Sequence, residues 1–305
     1  MKNSAKPTII NSVSELHKLI GLPKPHHPLV SLINLDTVPN TDSSTTHHLI
    51  LNFYSVSLKK NVKGKLKYGQ HYYDFDEGVL ATMSPGQLLS TRGQDNYEVS
   101  GWWLVFHPDF IRPYPLGRLI KEYGFFSYEV KEALHLSDKE EKMLEMILQN
   151  IELESQNSID QFSQDVMVSY LDLLLNYTNR FYNRQFLTRK NASNDLLVKF
   201  DTLLNEYFTD KITDLGLPSV HYISQELNVS AHYLSDLLRS LTGQSTQQHI
   251  HEKLIEKAKE KLATNSLSVS EIAFQLGFEH SQSFSKLFKT KVEMSPLEFR
   301  ARFNN

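Results

Sequence analysis

The C-terminal third of this 305-residue chain contains an internal duplication. One set of five residues recurs at an offset of 49 positions: Ser219, Val220, Ile223, Leu227 and Asn228 recur as Ser268, Val269, Ile272, Leu276 and Gly277. After one inserted residue, a second set recurs at an offset of 50: Leu234, Ser235, Leu237, Leu238 and Ser245 recur as Phe284, Ser285, Leu287, Phe288 and Ser295. We therefore expect two units of the same fold, and the apolar spacing in each predicts a helix, a turn and a second helix.

The turn in each unit follows a short amphipathic helix. In the second unit Ser268 or Ser270 can cap this helix. Gly277 then supplies the left-handed backbone conformation that a residue with a Cβ resists. Asn228 takes that place in the first unit, as the next most tolerant residue type. Three apolar residues of the second unit are predicted to face inward: Ile272, Ala273 and Leu276.

The second helix of the second unit, predicted over about 281–291, separates apolar from polar side chains. Phe284, Leu287 and Phe288 follow helical spacing and are predicted to be buried. The outward residues are then Gln282, Ser283, Lys286 and Lys289. Glutamine pairs with adenine, lysine with guanine or phosphate, and serine with either. This face is typical of a DNA-reading helix, and the alternative is an ordinary solvated face.

The corresponding helix of the first unit is chemically weaker as a DNA-reading element. Its predicted buried residues are Leu234, Leu237, Leu238 and Leu241, and its predicted exposed residues are His232, Tyr233, Ser235, Asp236 and Arg239. Asp236 occupies the place of Lys286, where a carboxylate repels phosphate unless it accepts a hydrogen bond from cytosine N4. An internal ion pair with Arg239 at i+3 is the alternative.

A predicted helix over 246–262 connects the two units. Its apolar residues recur every four positions: Ile250, Leu254, Ala258 and Leu262. Seventeen helical residues extend about 25 Å, so this helix can hold two recognition helices roughly one DNA turn, about 34 Å, apart. A rigid connection of this kind implies DNA bending where the spacing is imperfect. Beyond the second unit, Ser295 and Pro296 predict the start of a last helix.

The N-terminal two thirds of the chain has a different pattern. Residues 1–40 are interrupted by Pro23, Pro25, Pro28 and Pro39 and are predicted to be a leader of low structural content, in which Ser12 could start a short helix. Residues 41–136 contain short β-rich runs separated by turn residues, which is typical of an antiparallel sandwich or barrel. The polar, aperiodic segment 188–194 is the predicted linker to the DNA-binding domain at 195–305.

Two helices are predicted in the segment 137–187, the first after a capping box formed by Ser137 and Glu140. The first helix is expected to close the core of the β domain. The second, over about 160–186, has a wide apolar stripe that fits either that core or a dimer interface. The candidate dimerisation residues are Tyr170, Leu173, Leu174, Tyr177 and Phe181.

Composition narrows the class of protein further. The chain has no cysteine, which excludes disulfides, thiolate metal sites and a cysteine nucleophile. It lacks an apolar run of about 20 residues and a secretory leader, so we expect a cytoplasmic protein without a membrane partner. The net charge of −3 provides no global attraction for nucleic acid, and residues 219–305 carry ten Lys or Arg against nine Asp or Glu. DNA binding must therefore depend on local placement of charge.

The C-terminal motifs resemble those of the AraC/XylS transcription regulators. The resemblance covers about 195–305, and it is carried by SVSEIAFQLGFEHSQSFSKLFKTK at 268–291 and MSPLEFR at 294–300. It implies a sequence-specific DNA-binding domain with two recognition helices. By motif position it places base contacts on His232, Ser235, Asp236, Gln282, Ser283 and Lys286. Asp236 departs from the basic or polar residue usual in the family.

The N-terminal part resembles, more loosely, the cupin-like sensor domains of such regulators, through motifs at 84–86, 101–110 and 132–137. The implied fold class is α+β: a cupin-like antiparallel β-barrel with appended helices, then an all-α domain of two helix-turn-helix units joined by a linker helix. Such domains bind a small effector inside the barrel and dimerise through the appended helices. The candidate effector-binding residues are Tyr72, Trp102, Trp103 and Phe106, with burial in the core as their alternative role.

These features together predict a DNA-binding transcription regulator, an activator that responds to a small-molecule effector. Its expected partners are double-stranded DNA, RNA polymerase and a second copy of the chain. A cupin-type metal enzyme is one alternative, but the metal-binding spacing is missing, since His71 is followed only by Tyr73, Asp74 and Glu77. A non-specific architectural DNA binder is the other. We expect no catalytic residue, metal or cofactor.

Overall fold

The computed structural model describes residues 7–39, 46–68, 71–75, 78–92, 98–157, 160–188, 190–264 and 267–302. The chain divides into two compact units, Met1–Gln185 and Phe186–Asn305. The described part of the first unit contains strands and helices, and that of the second contains helices, so the predicted α+β class is confirmed. Within these ranges no helix is both long and apolar enough to cross a bilayer.

The N-terminal unit is built on two β-sheets. Its described strands are β1 (Thr8–Ile10), β2 (Val30–Asn34), β3 (Thr46–Leu51), β4 (Tyr54–Tyr68), β5 (His71–Phe75), β6 (Gly78–Met83), β7 (Leu88–Arg92), β8 (Glu98–Phe106) and β9 (Leu134–Leu136). One sheet has the order β1-β3-β7 and the other β2-β8-β4-β6-β9, with β5 paired to β4. Strands β1 and β3 are parallel, and the other pairs are antiparallel. Among the described residues the sheets stay separate.

Strand β8 contributes to two different packing layers, because successive side chains of a strand point to opposite faces. Val105 and Trp103 face the core that joins the two sheets. The buried members of this core are Ile10, Val13, Leu16, Ile33, Leu49, Leu51, Phe53 and Val105. Leu104 and Phe106 are on the opposite face, where Phe106 stacks on Tyr54 with 5.4 Å between ring centroids.

Five helices of the described chain begin within the N-terminal unit: α1 (Val13–Leu19), α2 (Pro108–Ile111), α3 (Leu116–Leu119), α4 (Asp138–Gln156) and α5 (Ser163–Thr188). The capping box predicted at the start of α4 is confirmed, since Glu140 Oε2 accepts a hydrogen bond from the Ser137 backbone N–H at 2.9 Å. The residues of α4 that pack towards the second sheet are Leu144, Ile147, Leu148 and Ile151, all buried. This helix closes the core, as predicted.

The expected low structural content of residues 1–40 is wrong. Residues 8–34 supply β1, α1 and β2, and Ser12 caps α1 by accepting a hydrogen bond from the Glu15 backbone N–H. Val13 and Leu16 are fully buried in the core between the sheets. The prolines that suggested a leader lie mainly in the connection between α1 and β2, where they do not interrupt backbone pairing.

Helices account for the regular structure described in the C-terminal unit. They are α6 (Lys190–Glu206), α7 (Ile212–Leu215), α8 (Val220–Glu226), α9 (Ala231–Thr242), α10 (Thr246–Thr264), α11 (Val269–Gln275), α12 (Ser281–Val292) and α13 (Pro296–Ala301), with a π-helical turn at Tyr207–Lys211. The predicted pair of helix-turn-helix units is confirmed as α8–α9 and α11–α12, and α10 connects them.

The segment expected to be an aperiodic linker, 188–194, is largely helical. Thr188 ends α5, and α6 begins at Lys190. Ser193 is buried and donates a hydrogen bond from its hydroxyl to the Phe186 carbonyl at 2.9 Å, so this polar residue has an internal partner. The composition of the segment concealed the helix, because a satisfied polar side chain can be buried as readily as an apolar one.

Candidate nucleic-acid interface

The first helix-turn-helix module consists of α8 and α9. Ser219 caps α8 through a hydrogen bond from the Tyr222 backbone N–H at 3.1 Å, and Ser230 caps α9 through one from Tyr233 at 3.2 Å. Asn228 adopts a φ of 55° at the turn between them, as predicted. The module is closed by buried apolar residues: Ile223, Leu234, Leu237 and Leu238.

The second module consists of α11 and α12. A capping box begins α11: Ser268 N–H donates to the Glu271 carboxylate at 2.7 Å, and Glu271 N–H donates to the Ser268 hydroxyl at 3.2 Å. Gly277 has a φ of 78°, which confirms the predicted left-handed turn. Phe284 and Phe288 of α12 are fully buried, with 5.7 Å between their ring centroids. These contacts fix the rotation of α12 about its own axis.

The face of α12 opposite these phenylalanines is polar and open to solvent. Gln282, Ser283, Lys286 and Lys289 are all exposed, as the sequence predicted. Their spacing of i, i+1, i+4 and i+7 places them on one side of the helix. The arrangement presents hydrogen-bonding and cationic groups on a rigid rod about 10–12 Å in diameter, which the major groove of DNA accommodates.

The corresponding face of α9 is partly occupied by internal contacts. His232 is exposed, but Ser235 is half-buried and donates a hydrogen bond to the buried Thr246 hydroxyl at 3.0 Å. Arg239 pairs with Asp236 at 2.8 Å, which is the i,i+3 ion pair that the sequence allowed. Since this pair engages the carboxylate and the guanidinium with each other, α9 offers less unpaired charge than the sequence alone suggested.

Helix α10 holds the modules through a continuous apolar edge. Ile250, Leu254, Ala258 and Leu262 are buried, as the i+4 spacing predicted, and Ile255 joins them. At about 1.5 Å per residue its 19 residues extend about 28 Å. Helix α10 packs against α9 of the first module and against α11 and α13 on the side of the second module. It therefore constrains the relative position of the two modules.

A second connection between the modules was not predicted. Gly277, in the turn of the second module, lies against the backbone of Gly216, which precedes the first module. A Cβ at Gly277 would come within 2.7 Å of the Gly216 carbonyl carbon. The sequence marked Gly277 as a turn residue, but nothing in it indicated a close backbone approach from a segment 61 positions earlier. The contact packs the turn of the second module against the segment between α7 and α8, which leads into the first module.

The candidate effector residues do not gather around one cavity. Trp102 and Trp103 are adjacent in β8, so their side chains lie on opposite faces of the sheet; in register, Trp102 is opposite Asn34 and Trp103 opposite Ile33. Phe106 is fully buried against Tyr54. The side chain of Tyr72 lies outside the described residues. No cluster of three or more potential metal ligands occurs in the described part of the chain.

The candidate dimerisation residues of α5 differ in their exposure to solvent. Leu174 is fully buried and Phe181 is 6% exposed, so both belong to the interior of their own unit. Leu173 is 42% exposed, and Tyr170 and Tyr177 are half-buried. The sequence could not separate these sets, because a stripe this wide covers both the inward side of the helix and its margin.

Two short helices joined by a left-handed turn, with a buried apolar side and an exposed polar side on the second helix, define the helix-turn-helix class of DNA-binding domains. Residues 223–302 match the family model described as a helix-turn-helix domain. The C-terminal unit is an AraC-type helix-turn-helix domain, which confirms the family resemblance for this part of the chain.

Three relatives show the extent of the similarity. The chain is 34% identical over 86 residues to the Msm operon regulatory protein of Streptococcus mutans, covering 28% of this chain and 31% of the relative. It is 30% identical over 104 residues to histidine kinase P4 of Formosa agariphila, covering 34% and 7%. It is 23% identical over 241 residues to the uncharacterized HTH-type transcriptional regulator YijO of Escherichia coli, covering 75% and 78%. The chain therefore spans less than a third of the length of the first two.

Proposed function

We propose that this protein is a sequence-specific DNA-binding transcription regulator in which α12 is the principal reading helix. The observation that carries the proposal is the exposed polar row of α12, held in a fixed orientation by the buried Phe284 and Phe288. A helix fixed in this way presents the same side chains to every duplex, which sequence discrimination requires.

Each residue of the row has a role in this proposal. Gln282 pairs with adenine, Ser283 contacts a base or a phosphate, and Lys286 contacts guanine or phosphate. Lys289, one turn further along, neutralises a backbone phosphate. In the first module the proposed contacts come from His232, Ser235, Asp236 and Arg239, of which His232 is the least engaged in the internal contacts described above.

The N-terminal unit is proposed to be a cupin-like sensor whose effector biases the DNA-binding unit towards activation through RNA polymerase. Its two sheets, antiparallel except for the β1–β3 pair, and the helix α4 that packs on the second sheet support this role. A homodimer is proposed through the exposed margin of α5, where Leu173 lies between Tyr170 and Tyr177. The sensor predicted at 41–136 is extended to residue 8, because β1, α1 and β2 complete its sheets and core. A dimerisation segment at 137–187, a DNA-binding domain at 195–305 and a cytoplasmic location belong to the same proposal.

The test is selection of genomic fragments by the purified full-length protein, followed by footprinting of the retained fragments at a stated salt concentration. We expect discrete protected sites that contain two half-sites about one helical turn apart. Uniform coverage without discrete sites would instead identify a non-specific architectural protein. Affinity should fall steeply with added salt, because each neutralised phosphate releases counterions.

A further inference from the structure

A short connection joins the recognition helix of the first module, α9, to α10. Gly243 ends α9 in the left-handed conformation with a φ of 81°, and α10 begins at Thr246. Gln244 and Ser245 are the residues between them. Because α10 packs against α11 and α13 of the second module, a change in its direction at this junction moves that module relative to α9. The junction therefore affects how the two recognition helices are placed.

A buried hydrogen bond crosses the junction. The Ser235 hydroxyl of α9 donates to the Thr246 hydroxyl of α10, at 3.0 Å between the oxygens. Thr246 is fully buried and Ser235 is half-buried. Water cannot replace the serine at a buried threonine, so loss of this bond would leave a hydroxyl unsatisfied in the interior. The bond thus holds the first turn of α10 against the middle of α9.

Two further hydrogen bonds cross the same junction nearer to its surface. The Thr242 hydroxyl donates to the Leu238 carbonyl at 2.8 Å, so it accepts from the His249 imidazole Nε2, also at 2.8 Å. The Gln244 side-chain amide donates to the Glu252 carboxylate. A hydrogen bond weakens steeply when its angle changes, whereas an apolar contact tolerates sliding. The three bonds together restrict the tilt and rotation of α10.

The second module has the same arrangement of helices with a different junction. At the offset of 50 positions, the counterparts of the bonded serine and threonine are Ser285 and Pro296. A proline side chain has no donor or acceptor, so the corresponding bond between α12 and α13 cannot form. An aromatic contact joins these helices instead, with 5.6 Å between the ring centroids of Phe288 and Phe299. The polar junction is thus a feature of the helix that connects the modules.

We infer that Ser235 and Thr246 are positioning residues, which set the half-site spacing that the protein accepts on DNA. One base pair changes the separation of two half-sites by about 3.4 Å and their relative rotation by about 35°. A junction held by directional bonds discriminates between such spacings. The Ser235 hydrogen is assigned to Thr246 rather than to a base, while its oxygen can still accept a hydrogen bond. The inference rests on the proposed function, since it concerns an operator with two half-sites.

The test uses an operator fragment retained in the genomic selection and two derivatives, with one base pair inserted or deleted between the half-sites. For the unaltered full-length protein we expect each derivative to bind about tenfold more weakly than the original fragment, because the DNA must be distorted to fit. In Thr246→Val, which keeps the shape of the side chain but has no hydroxyl, this ratio should fall to about threefold. Ser235→Ala removes the other partner and should lower the ratio equally.

Two further variants are controls. Thr246→Ser retains the hydroxyl and should keep the spacing ratio of the unaltered protein. Ser285→Ala makes the serine substitution at the matching position of the second module, opposite Pro296, and should also leave the ratio unchanged. Thermal unfolding of every variant separates a loss of folded protein from a change in spacing preference.

Three outcomes would overturn the inference. If Ser235 acts through a base contact, Ser235→Ala loses affinity at one base pair of its half-site and Thr246→Val does not. If the bond only stabilises the fold, both variants bind all three fragments more weakly by the same factor, and the ratio stays tenfold. An equal change of the ratio in Ser285→Ala would show that the polar junction is not its source.

The two proposals fail in different ways. Unaltered protein that selects no discrete DNA sites refutes the proposed function, and this inference with it, before any variant is made. Unaltered protein that selects operators, with variants that keep its spacing ratio, refutes this inference alone.

Discussion

The two helix-turn-helix modules share a backbone design but differ in what their outward helices offer. Each has a serine cap on its first helix and a left-handed residue at its turn, which is Asn228 in the first and Gly277 in the second. On α12 the outward row is exposed throughout, whereas on α9 Ser235 is tied to α10 and Asp236 is paired with Arg239.

Duplication of the fold has therefore not duplicated the recognition surface. Apolar positions in both copies face the same kind of neighbour, so they remain similar. Outward positions are constrained only by what they contact, and in the first module they contact α10 and each other. The left-handed ends of the two recognition helices differ as well, with Gly243 after α9 and Glu293 after α12.

The largest expected change is a loss of stability on substitution of Gly277 in the turn of the second module. Gly277→Ala introduces a Cβ at positive φ and only 2.7 Å from the Gly216 backbone, which should lower the free energy of unfolding by about 3 kcal/mol. Gly243→Ala is the matched control, since it has a φ of 81° and no heavy atom within 4 Å of the added Cβ. It should cost about 1 kcal/mol. Thermal and denaturant unfolding of both variants measures the difference, and equal losses would contradict the close contact.

The next effect concerns DNA affinity. Lys286→Glu should lower specific affinity about 100-fold, because it removes a base or phosphate contact and adds repulsion. The side chain is exposed, so stability should change by less than about 0.5 kcal/mol. Lys291→Glu makes the same charge change outside the outward row of α12 and should cost less than about tenfold. Titration of operator fragments measures both, and equal losses would mean that α12 contributes only bulk charge.

Asp236→Asn tests whether the first module is limited by its internal ion pair. Removal of the carboxylate frees Arg239 for phosphate, so affinity should rise about threefold, and stability should change by less than about 0.5 kcal/mol. Adding Arg239→Gln should abolish the gain. A fall in affinity confined to operators with cytosine at one position would instead show that Asp236 reads that base.

The smallest expected effect is a pH dependence of stability that comes from the cap of α11 and that the cap of α8 lacks. Hydrogen bonds from the Ser268 side chain and backbone hold the pKa of Glu271 below its ordinary value of 4.5, whereas Tyr222 occupies the matching position of the first module. A lowered folded-state pKa contributes stability above about pH 4.5, and this contribution is lost as the pH falls through the folded value. Glu271→Gln should therefore be less stable than the parent at neutral pH and converge with it in acid. Glu279→Gln, an exposed control without a capping role, should run parallel to the parent throughout.

Features that depend on neighbours in the chain can be predicted from the amino-acid sequence. The cap at Ser137, the left-handed turns at Asn228 and Gly277 and the buried edge of α10 were predicted correctly. Of the two candidate caps for α11 the structure uses Ser268, and of the predicted buried residues of α12 Phe284 and Phe288 are buried, whereas Leu287 is half-buried. Each follows from an interaction that spans at most about four residues, such as a cap, a turn or the helical repeat. Such interactions can be recognised without knowing what packs against the helix.

Contacts between segments that are distant in the chain are set by tertiary packing. It placed residues 8–34 within the N-terminal sheets and brought Gly216 against Gly277. It also buried Leu174 while it left Leu173 exposed. These outcomes depend on strand register and helix rotation, which are set by packing between residues tens of positions apart, and no local pattern encodes that choice.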